Sequence, residues 1–188
     1  MTSPEEAIRL EADPMFRNAR EKLLIKEDAD GVRLSLYLDR AVVDNLGKGP
    51  GAGAESLQDF CLALEGVSHF LYLSWNATHD RSVTLLEMEL QAEVDKFVVL
   101  SRYFEEHAET SPGGRLMRML FQSVCFAPGL GEAEQRRYRR ANRYAEQYCR
   151  RLEAGFLKSG NRKELLNDLR RFYRLPQREK IAYIGGVY

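Results

Sequence analysis

Apolar residues along this chain recur mostly at three- and four-residue spacing. Val83, Leu86, Leu90, Val94, Phe97 and Phe104 draw one stripe, the pattern of a helix packed along a single face. Thr84-Leu85-Leu86-Glu87 reads as a capping box at its start, and Ser111-Pro112-Gly113-Gly114 ends it by about His107. A longer helix is predicted from Glu132 to about Leu157. Its seam is Tyr138, Ala141, Ala145, Tyr148, Leu152 and Phe156, with arginines on the remaining faces. Between Phe60 and Trp75 apolar residues fall on every side, which predicts a central helix, over 56–76, enclosed by others.

Shorter helices complete the pattern. Ser3 and Pro4 suit the start of a first helix over 3–21, with a weak stripe of Ile8, Leu10, Met15 and Phe16. Another runs from Arg115 to Phe126. Asn161 caps one that ends at Arg174, and Pro176 opens a last one through Ile184. The period changes to two only near the N-terminus: Leu34, Leu36 and Leu38 alternate with Arg33, Ser35 and Tyr37. With Asp30-Gly31 as its turn, the stretch 23–38 is predicted to be a β-hairpin. Residues 47–54 (Gly-Lys-Gly-Pro-Gly-Ala-Gly-Ala) read as a flexible connector, since they lack the Gly-Lys-Ser/Thr ending of a phosphate loop. The expected architecture is therefore mainly α, one domain over 1–188: a helical bundle around a central apolar helix, with one N-terminal β-hairpin.

Composition alters this picture in one respect, the distribution of charge. The 28 basic and 28 acidic residues cancel overall. Residues 1–114 nevertheless hold 11 Lys and Arg against 21 Asp and Glu, a balance of −10, and residues 115–188 the opposite balance of +10. The three cysteines, Cys61, Cys125 and Cys149, are odd in number and stand outside any CxxC pair, so a reducing, cytoplasmic setting is expected. No apolar run approaches the roughly 20 residues of a membrane span.

Two constellations could carry function. The first is the basic C-terminal part: Arg136, Arg137, Arg139, Arg140 and Arg143 interleave with Tyr138 and Tyr144, and Arg170, Arg171, Arg174 and Arg178 extend the charge. Guanidinium groups beside aromatic rings suit an acidic protein partner or nucleic acid, against the plainer reading of a solvated face paired with the chain's own acids. The second is Glu65 and His69, four residues apart and hence neighbours on one helix face, inside an otherwise apolar stretch. With Glu87, Glu89, Glu93 or His107 they could form a metal-dependent or enzymatic pocket. The chain has no Glu-x-x-His, the spacing that di-metal bundles use, so a structural hydrogen-bonded pair is the competing reading. No nucleophile elbow is present, and nothing calls for a cofactor. The expected role is a non-enzymatic interaction protein binding through its basic C-terminal surface, with the Glu65/His69 pocket as the alternative.

Overall fold

A computed structural model describes residues 19–28, 31–107, 113–122, 131–157 and 160–186. It is mainly α-helical with one two-stranded antiparallel hairpin. The predicted first helix over 3–21 lies outside the described residues up to residue 18, as does Cys125, and at its expected end Ala19 and Arg20 are not helical and Glu21 opens a strand instead. The chain divides into two compact units, 1–70 and 71–188.

In the first unit, β1 (Glu21–Asp28) pairs with β2 (Gly31–Leu38), Leu23 opposite Leu36 and Ile25 opposite Leu34. Gly31 has φ of 126°, a backbone conformation that favours glycine. This register puts Glu21, Leu23, Ile25, Leu34, Leu36 and Leu38 on one face. A helix that the apolar spacing did not reveal follows directly: α1 (Arg40–Leu46), where the Asp39 carboxylate accepts from the Ala41 N–H at 2.8 Å. Residues 47–52 form successive hydrogen-bonded turns, from Lys48 N–H to the Asn45 carbonyl and from Ala52 N–H to that of Gly49.

The apolar stretch forms α2 (Ala54–Ala77). Its enclosure is less complete than the sequence suggests, because Val67 and Leu71 are exposed. Two features of the first unit fix its early turns. Asp59 is fully buried and accepts from Arg20 Nη2 at 2.5 Å and Asn45 Nδ2 at 2.7 Å; those bonds hold its carboxyl below the usual range. Gly66 meets the hairpin so closely that a Cβ there would sit 2.7 Å from both Glu21 Oε1 and Leu36 Cδ1. Here glycine serves close approach.

The second unit contains α3 (Leu85–His107), α4 (Gly113–Met117) running into a π-helical turn (Arg118–Gln122), α5 (Glu132–Leu152) ending in another (Glu153–Leu157), α6 (Arg162–Arg174) and α7 (Gln177–Ile184). Its core holds Leu90, Val94, Phe97 and Leu100 of α3, Ala141, Ala145, Tyr148 and Leu152 of α5, and Phe172 of α6. All but Leu100 and Phe172 belong to the apolar stripes the spacing predicted, facing inward to remove apolar surface from water. The Thr84 cap forms, with its Oγ1 accepting from the Glu87 N–H at 3.1 Å, but the Glu87 carboxylate turns inward to Tyr72 instead of closing the box. Asn161 caps α6 as expected, accepting from the Glu164 N–H at 3.3 Å. No helix among the described residues is long and apolar enough to cross a membrane.

Candidate functional site

Helix α5 sorts its residues cleanly by face. Ala141, Ala145, Tyr148, Cys149 and Leu152 are buried, while Arg136, Arg140, Arg143 and Arg150 recur at three-, four- and seven-residue spacing as an exposed line. Glutamates hold the ends of that line: Arg136 pairs with Glu132 at 3.1 Å and Arg150 with Glu146 at 2.7 Å. In the middle, Arg140 and Arg143 have no ion pair among the described residues, and the Arg143 guanidinium lies 5.4 Å from the centre of the Tyr144 ring. Arg139 is exposed on the same helix. Arg137 belongs elsewhere: it is half-buried, between Glu134 at 3.4 Å and Glu89 at 3.9 Å.

The arginines of α6 are also exposed. The Arg171 guanidinium lies 5.0 Å from the Tyr183 ring centre. The carbonyl of Arg174 accepts from Arg81 Nη1 at 2.7 Å, while its side chain points to solvent. Arg170, Arg174 and Arg178 have no ion pair among the described residues. No known family model, curated protein or solved structure matches this chain, so its own side chains are the guide to function.

Glu65 and His69 sit one turn apart on α2 as the spacing requires, His69 buried and Glu65 half-buried. A residue that the sequence pattern does not single out joins them in the first unit. Glu21 of β1 has its Oε1 buried without a hydrogen-bond partner, and burial, then the charge of Glu65, pushes its carboxyl up to about 7. Two carboxylates competing for one negative charge resist joint ionisation. A folded-state pKa above the ordinary 4.5 means that the native state holds the proton more tightly. The resulting stability is complete below about pH 4.5 and is lost as pH rises to about 7. Glu21→Gln should therefore raise the denaturation midpoint at pH 8 while leaving it unchanged at pH 4. An equal shift at both pH values would show that charge is not the cause.

A fully buried lysine lies in the second unit. Lys180 of α7 has no exposed surface. Its ammonium donates to Gln91 Oε1 of α3 at 2.7 Å and to the Phe172 carbonyl of α6 at 2.8 Å. It also sits 4.1 Å from the Phe172 ring centre and 5.2 Å from that of Tyr72, so one side chain ties three helices. Burial drives its pKa down to about 7, against the opposing pull of Glu87 and Asp95. Around it the Tyr72 hydroxyl donates to Glu87 at 2.5 Å and Gln91 Nε2 to Asp95 at 2.9 Å. A second cluster lies on the other side of Phe172, where Asp168 accepts from Tyr148 at 2.6 Å and from Tyr183. An amine this enclosed reaches no solute, and its chemistry is structural. Nothing in the spacing of Lys180 marks it, since Lys at a helix position ordinarily signals a solvated face.

Proposed function

We propose that this protein is a non-enzymatic interaction module that presents the arginine line of α5 to an acidic surface on a protein partner. The observation that supports this reading is the exposure of Arg140 and Arg143, without ion pairs among the described residues, at the centre of one helix face whose opposite face is core. Such groups keep their charge for an incoming carboxylate. Glu132, Glu134 and Glu146 on the same helix interrupt the positive face and confine its unpaired charge to a short segment, which suits a discrete acidic patch on a protein better than a continuous phosphate backbone. The interleaved tyrosines point the same way. Tyr138 and Tyr144 are half-buried beneath their own arginines, leaving little ring face for base stacking.

Binding to a fluorescent Glu- and Asp-rich helical peptide, measured across a salt series, tests this. Affinity should fall as salt rises. Arg136, Arg140 and Arg143 changed together to Gln should weaken binding on the order of tenfold, the sum of three exposed charge contacts. A flat salt response, or an unaffected triple variant, would remove the proposal. Single-stranded RNA binding more tightly than the peptide would replace the partner class.

A further inference from the structure

The geometry points to a small-molecule site in the 71–188 unit, distinct from the arginine line: the pocket between α3 and α6 takes a medium-chain aliphatic carboxylate. The cavity is about 370 Å³, near the lower end of the roughly 300–1,000 Å³ typical of ligand pockets. That size suits a medium-length chain more than a long one. Its wall is built by Val98 of α3, by Phe156 and Leu157, and by Leu165 and Leu169 of α6. Phe156 and Leu157 reach it because α5 ends in the π-helical turn Glu153–Leu157, a form that often marks functional sites. Leu166, also in the lining, is 50% exposed, so the apolar wall opens to solvent.

The polar groups at the mouth favour a negative head. Arg102 is satisfied, with Glu105 at 2.9 Å and Glu106 at 2.5 Å. Arg162 is not: its side chain is 69% exposed, makes no hydrogen bond among the described residues, and has Glu105 only at 3.9 Å. A ligand carboxylate can take two N–H groups of Arg162 without displacing Glu105 from Arg102. Arg162 is also the first residue of the 13-residue helix α6, whose positive end faces the same mouth. An aliphatic tail in the leucine-lined wall and a carboxylate on Arg162 then satisfy both halves of the site.

Titration of the full chain with decanoate below its micelle concentration and with 1-decanol below its solubility limit, followed by calorimetry and NMR shifts, provides the test. Decanoate should saturate at one site, about tenfold more tightly than decanol, with shifts centred on Leu165, Leu169 and Phe156. Arg162→Gln, an exposed change, should erase that preference and leave decanol binding as it was. Leu169→Trp, its fold checked by circular dichroism, should block both ligands. Equal wild-type affinities for the two ligands, or a preference that survives Arg162→Gln, would overturn the carboxylate assignment. Non-saturable binding, or shifts centred elsewhere, would overturn the site itself.

Discussion

Stability of the 71–188 unit should rise between pH 7 and pH 9, and Lys180→Met should flatten that rise. Lys180 ordinarily titrates at 10.5 and in the fold at about 7. Between those values the unfolded chain holds the proton and the native chain does not. Folding then releases a proton, and stability increases with pH at up to about 1.4 kcal/mol per unit. Below about 7 the full penalty of carrying the ammonium in the core is present. The whole span is worth on the order of 5 kcal/mol. Glu87, Asp95 and Arg81 face the amine and set where it titrates: the first two raise its pKa and the third lowers it. At the upper end the sign reverses, because burial pushes the Tyr72, Tyr148 and Cys149 acids up. Above their ordinary pKa values the unfolded chain ionises more readily, and stability falls. Within the window from pH 7 to 9 Lys180 dominates, and the Cys149 thiol, ordinarily at 9.0, opposes the rise only near its upper end. Trp75 is the chain's single tryptophan and lies in this unit, 5.5 Å from Tyr173, so its fluorescence reports the transition. A pH-independent urea midpoint in the wild type would refute a depressed Lys180.

Lys180 is hard to place from the chain alone, and the reason is general. Helix faces were legible wherever burial follows apolar character: the seam of α5, the stripe of α3 and the alternation of β2 all face as their spacing implies. Capping chemistry was legible too, at Thr84 and Asn161. Polar residues drawn inward by partners distant in sequence were not. Glu87 leaves its cap for Tyr72, and Lys180 reaches Gln91 across 89 positions. Glu21 is turned against Gly66 by the hairpin register. Each depends on a long-range meeting that local periodicity does not encode. Helix α1 escaped for the opposite reason: at seven residues with Val42 alone buried, it carries too little stripe to recognise, and only the Asp39 cap announces it. The arginine line was visible as composition, yet which of its members stand free depended on where Glu132, Glu134 and Glu146 fell along the same helix.

The same network makes Phe172 the most consequential apolar position. Its ring stacks on Tyr148 with centroids 3.9 Å apart and planes 17° from parallel, and the Tyr183 ring lies 6.2 Å away, tilted by 45°. It has no exposed surface, and the same residue offers Lys180 both a ring face and a carbonyl. Phe172→Ala should cost about 3–5 kcal/mol, the lost transfer energy plus the cavity left behind. A second effect separates this position from an ordinary core phenylalanine. Opening space beside Nζ lets water reach the ammonium and relieves the burial that depresses its pKa, so the rise in stability from pH 7 to 9 should shrink in the same variant. The penalty of the substitution should accordingly be smaller at pH 7 than at pH 9. Combined with Lys180→Met, the two changes should be non-additive, because the second removes the group whose solvation the first altered. Urea titrations of the four proteins at the two pH values measure every quantity needed. If Phe172→Ala retains the full pH slope of the wild type, the ring does not shield the amine, and the depressed pKa has another origin.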